Sequence, residues 1–109
     1  MLHTRVDKGV APIIYLEGEV DLDCTETLRW VVSDAVRGSD QAVLDFAGVR
    51  FIDSSGAGIF VRLCLDLRAQ GIQLRARNLS PAVEDVFAML KVRELVGDGA
   101  FIAPQAKAG

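Results

Sequence analysis

Residues 51–60 read FIDSSGAGIF, and the fold turns on how this stretch is parsed. Upstream of it, QAVLDF (41–46) is a short apolar run of the length and kind that fills a core strand. From residue 56, GAGIFVRLCLDLRAQG sets Phe60, Leu63, Cys64 and Leu67 at helical spacing and stops at Gly71, a helix-terminating glycine. The quoted residues are the seam between the two. An acid, two serines and two glycines at such a seam make the first turn of a helix that leaves a core strand.

Toward the N-terminus, LHTRV and PIIYLEGEV flank DKG, a good turn sequence, and predict an antiparallel hairpin. In its second arm Ile13 and Tyr15 alternate with Ile14 and Leu16. Both faces are apolar near its start, as in a largely covered strand. The period then changes. Leu28, Val31, Val32, Ala35 and Val36 form one core-facing helical stripe, with Asp23 and Glu26 spaced as a capping box and Gly38 as the stop. Beyond the seam, IQLRAR alternates and turns Ile72, Leu74 and Ala76 inward. Ser80 followed by Pro81 is an N-cap with proline at the first helical position. Val83, Val86, Phe87 and Leu90 make a third stripe, and Phe101 with Ile102 are candidates for an edge strand. Strands that return through a helix run parallel. The expected architecture is a single α/β domain over residues 1–109, a four- to five-stranded mixed sheet packed with helices. Its core spans about 5–102, with a tail, 103–109, expected to be disordered.

Composition narrows the function. Half of the 109 residues are apolar and a quarter charged, an ordinary globular balance. A net charge of −3 and a pI near 5.0 argue against a nucleic-acid partner, which calls for a basic face. No basic stretch followed by an apolar one opens the sequence, so no signal peptide is expected; no apolar run approaches the roughly 20 residues of a membrane span, and a cytoplasmic location is expected. Cys24 and Cys64 have neither metal-ligand nor redox spacing and are expected to remain unpaired. The acids are bunched, five of them between Glu17 and Glu26.

Catalytic readings of the seam find little support. DSSG is not a nucleophile elbow, and the single histidine, His3, is far from it in sequence. GAG lacks the rest of a dinucleotide or phosphate loop, no cluster has metal-ligand spacing, and no cofactor is implied. The helix start itself offers free N–H groups and the positive end of a dipole, which tolerate a phosphate esterified to a serine there. On these grounds alone a plain helix cap explains the residues equally well.

The sequence also resembles a known family. LEGEVD (16–21), AVLDFAGVRFIDSSGAGIFVRL (42–63), GIQL (71–74) and SPAVEDVFAML (80–90) are similar to the STAS domain of anti-sigma factor antagonists, the phosphorylatable members of bacterial partner-switching systems. The resemblance implies the following. An anti-sigma factor with serine kinase activity phosphorylates Ser55, with Ser54 as the competing acceptor. The unmodified protein binds that kinase and frees a sigma factor, the phosphorylated protein is released, and a metal-dependent serine phosphatase resets it. Asp21, Asp23, Asp53, Ser54, Gly56, Gly58, Val61, Arg62 and Leu65 are expected in the docking surface. A STAS scaffold component or a soluble transporter-associated subunit is the alternative.

Two features stay outside that scheme. Trp30 falls off its helix's core stripe, beside Glu26 and Arg37, where it either anchors a partner or lies flat on its own surface. Where the family often carries a small residue and glycine after the SPAV helix, this chain reads MLKVREL; with Lys91 and Arg93 in place of that break, either the helix runs on or its end faces a different partner.

Overall fold

The computed structural model describes residues 1–103; the expected tail, apart from Ala103, lies outside the described residues. The sheet opens with β1 (Leu2–Asp7) antiparallel to β2 (Ile13–Val20), and β3 (Gln41–Ile52) and β4 (Gln73–Arg77) follow parallel. Strand order is β1-β2-β3-β4. Four helices complete the fold: α1 (Thr25–Ala35), α2 (Ser54–Ala69), α3 (Pro81–Met89) and the short α4 (Val92–Val96). Phe101 forms only an isolated parallel bridge to Ala76, with the Ile102 N–H on the Ala76 carbonyl at 2.8 Å, so the sheet stops at four strands.

The core lies beneath the helices. Ile14, Leu16 and Val20 of β2 meet Ala42, Leu44 and Phe46 of β3 and the buried stripes Leu28/Val32 and Phe60/Leu63/Leu67. Phe60 stacks on Phe87 at 5.3 Å, and Phe46 meets both edge-on at 5.8 Å. These three rings tie α2 and α3 to the middle of β3, an aromatic arrangement worth more than its burial alone.

β3 is twice the length read from QAVLDF. Tyr15 pairs with Asp45 but Glu17 with Gly48, and Gly18 pairs with Val49 but Glu19 with Phe51. At both steps β3 advances one residue more than β2, which is the signature of a bulge. Each bulge moves the following side chain to the other face. The buried positions therefore run Phe46, Val49, Ile52 instead of alternating, and the strand is disguised in the sequence.

Capping around α1 also differs from expectation. Asp21, not Asp23, supplies the cap: its carboxylate accepts the Asp23 N–H at 3.1 Å and opens a single 3-10 turn, Leu22–Cys24, ahead of α1. The Ser80 cap is as predicted, its hydroxyl accepting from the Val83 N–H and donating to the Val49 carbonyl at 2.8 Å. The last predicted helix does not run on. Lys91 takes a left-handed conformation, φ 56°, ψ 43°, and breaks it into α3 and α4.

Candidate functional site

The seam sits where β2 and β3 end together. Val20 and Ile52 are register partners in parallel strands, so Asp21 and Asp53, the next residues, leave the sheet side by side. The Asp53 N–H donates to the Val20 carbonyl at 3.2 Å and fastens the two strand ends. This carboxyl edge of parallel strands is where open α/β sheets place their working residues.

Asp53 is the N-cap of α2; its carboxylate accepts the Gly56 N–H at 2.8 Å. Ser54 and Ser55 follow as the first two helical residues, where backbone N–H groups have no intrahelical acceptor. Ser54 is exposed and Ser55 half-buried, and neither hydroxyl is hydrogen-bonded to another described residue. Gly56 is buried, and a side chain there would collide with the Val20 carbonyl. Its role is close packing of helix start on strand end, not an open approach for a partner. Gly58 is the reverse, exposed with nothing near its missing side chain.

Cys24 lies beneath the Asp21 turn. Its thiol is held above its ordinary value first by burial, and the charges of Asp21 and Asp53 add to the effect. One buried group feels both carboxylates, so the acids converge on the seam. Asp23 is exposed on the same turn. Cys24 and Cys64 are both free, and burial pushes the Cys64 thiol up to about 12. At neutral pH neither is a reactive thiolate.

Along one flank of α2 runs a groove of about 590 Å³, walled on its far side by Leu90, Val92 and Leu95. Ser54, Gly58, Val61, Arg62 and Leu65 line it, whereas Asp21, Asp23, Asp53 and Gly56 of the expected docking surface lie outside it. Ser55 is one helical step round and outside it. Leu90 was assigned to the core stripe of α3 and instead faces this groove, while Leu95, on the segment after Lys91, was not singled out at all. Only the left-handed break at Lys91 swings that segment beside α2. Leu22 and Phe51, both exposed, add apolar surface one and two residues from Asp21 and Asp53 in sequence.

A second polar cluster escaped sequence reasoning. Asp45 is the one buried charged residue among those described, and it accepts from the Ala47 N–H at 2.9 Å, Arg77 Nε at 2.7 Å and Asn78 Nδ2 at 2.9 Å. Arg77 also reaches Tyr15 Oη at 3.3 Å, and the Arg5 guanidinium lies 4.0 Å over the Tyr15 ring. Burial alone would raise the Asp45 carboxyl, but the Ala47 N–H, Arg77 and Asn78 outweigh it and hold it below the usual carboxylate range.

No helix among the described residues is long and apolar enough to cross a membrane. Solved structures with the same fold include the anti-sigma factor antagonist SpoIIAA in its unphosphorylated form (22% identity, TM-score 0.74, 94% of this chain and 89% of that one). The Bacillus cell fate determinant SpoIIAA in its phosphorylated form is similar as well (24% identity, TM-score 0.68, 96% and 92%). So is the murine anion transporter Slc26a9 (20% identity, TM-score 0.69), where the likeness covers 81% of this chain but 15% of the transporter. Residues 2–105 match the family model of the STAS domain, and the chain belongs to the STAS domain family.

Proposed function

We propose that the protein is a phosphorylation-controlled anti-sigma factor antagonist, a binding module with no catalytic role of its own. The observation that carries this reading is the position of Ser55. It is the second residue of a capped 16-residue helix, beside the Asp21–Asp53 pair and one step from an apolar groove. Unmodified, the groove and the residues around Ser54 dock an anti-sigma factor that is also a serine kinase. Transfer of a phosphoryl group to Ser55 adds about −1.5 to −2 charges at neutral pH. The helix dipole and the free N–H groups of the first turn stabilise that phosphate on the fold, so the domain need not rearrange. The partner, by contrast, meets new bulk and new negative charge beside Asp21 and Asp53. Affinity falls and the complex separates. A metal-dependent serine phosphatase then restores the binding form, and the module works in the cytoplasm.

The test uses the kinase partner with ATP. Ser55→Ala is expected to bind it and stay bound when ATP is added, whereas the unsubstituted protein is released. Ser55→Asp is expected to bind poorly. If both variants bind and release like the parent, the switch lies elsewhere. The likeness to the Slc26a9 domain favours a second reading, a STAS domain that serves a transporter. On that reading no phosphate forms at the seam and the groove takes a transporter segment.

A further inference from the structure

The floor of the groove beside Ser54 is one stripe of α2. Ser54, Gly58, Val61, Arg62, Leu65 and Asp66 follow one another at helical spacing and share a face over about 18 Å. The far wall is Leu90 at the end of α3, with Val92 and Leu95 of α4. Leu65, Leu90 and Leu95 are 43%, 37% and 58% exposed, so apolar surface on both sides of the groove is left to water. At about 590 Å³ the groove has room for a few apolar side chains but not for a folded element. An occupant therefore lies across its mouth and inserts one face.

Two features fix what kind of segment that is. Both sides of the groove are helical, with interior backbone groups bonded within the helix, so an extended segment finds no strand edge to pair with. A helix brings its own backbone bonds and needs only an apolar face to insert. The second feature is charge. Arg62 and Asp66 line the groove one turn apart, and neither side chain has a salt bridge or hydrogen-bond partner among the described residues. Arginine ahead of the acid is also the weaker order for a pair within one helix. The two are open to a helix that sets an acid against Arg62 and a base against Asp66, these two likewise one turn apart.

We propose that the occupant is an amphipathic helix of the serine kinase partner, its apolar face seated between Leu65 and Leu95 and its register fixed by Arg62 and Asp66; this rests on the reading of the chain as an antagonist bound by such a kinase. Ser55 is outside the groove, so the groove captures the partner and takes no part in phosphoryl transfer. Leu95 of α4 is then a specificity determinant that the DSSG turn does not contain.

Steady-state phosphorylation of the full chain by that kinase tests this, because loss of binding common to ground and transition states raises KM and leaves kcat alone. Leu95→Ala and Arg62→Glu are each expected to raise KM at least about tenfold with kcat unchanged, the effect of removing an interface anchor. Both side chains are exposed, so thermal melts of the variants should match the parent. Trp30, 72% exposed on α1 instead of flat against its own surface, lines a different groove, and Trp30→Ala should leave KM unchanged. Hydrogen exchange on the complex should protect one helical segment of the kinase with an acid and a base one turn apart. Reversing that acid should restore binding of Arg62→Glu. An unchanged KM in either groove variant, an equal rise in Trp30→Ala, a protected segment that is not helical, or no rescue by the reversed acid overturns the inference, while phosphate on Ser55 of the parent leaves the antagonist reading standing. A kinase that neither binds nor modifies the unsubstituted chain overturns that reading, and the inference with it.

Discussion

The carbonyl of Val20 occupies the space into which a side chain on Gly56 would project. This contact sets how closely α2 can descend on the end of β2, and with it the height of the two serines above the sheet. Gly58, two residues on, has open space instead. Opposite outcomes are expected for the same substitution. Gly56→Ala should lose about 3 kcal/mol of stability by overpacking against backbone that cannot yield. Gly58→Ala should gain about 0.5–1 kcal/mol from better helix propensity, yet weaken partner docking because it narrows the groove floor. Urea denaturation and partner titration of the two variants check both halves.

Asp45 predicts a pH dependence. Its folded carboxyl titrates below the value it has in the unfolded chain, near 3.9. The stability it contributes is thus complete above that unfolded value and is lost as pH falls through the folded one. Asp45→Asn should cost about 2–4 kcal/mol at pH 7, since Arg77 loses its partner beside a buried position. The gap between parent and variant should narrow steadily below about pH 4. Denaturant midpoints at pH 7, 5 and 3 give the curve; a gap independent of pH contradicts the assignment.

Lys91 sits at φ 56°, a conformation that costs an L-residue roughly 1–2 kcal/mol and glycine almost nothing. Lys91→Gly is expected to stabilise slightly, by less than about 1 kcal/mol once the glycine's unfolded-state entropy is subtracted. Lys91→Val should destabilise by at least about 1 kcal/mol, because a β-branched residue tolerates this region worst. Matched thermal melts of the two variants, moving in opposite directions, are the check.

What the sequence made legible was whatever depends on near neighbours. The Ser80–Pro81 cap, the stripe Phe60/Leu63/Cys64/Leu67 and the hairpin are local patterns, and the structure has them. β3 was half hidden because its two bulges break the alternation that marks a strand. The Asp45 cluster was invisible because its partners Arg77 and Asn78 lie 32 and 33 residues away. Val61, Arg62 and Leu65 could be grouped from their helix, but the opposing wall, Leu90 and Leu95, required knowing that Lys91 bends the chain. The strand ends that bring Asp21 beside Asp53 follow from a parallel pairing that the helix between them implies, and the bulges then set which residues finish level.

The most direct measurement of the central claim is peptide mass spectrometry of the protein taken from its own cells, with Ser55→Ala in parallel. The account predicts one phosphoryl group, located on Ser55 and missing from the variant. Phosphate on Ser54 in both proteins would contradict it by moving the acceptor, and none under any growth condition would contradict it and leave the seam as a helix cap.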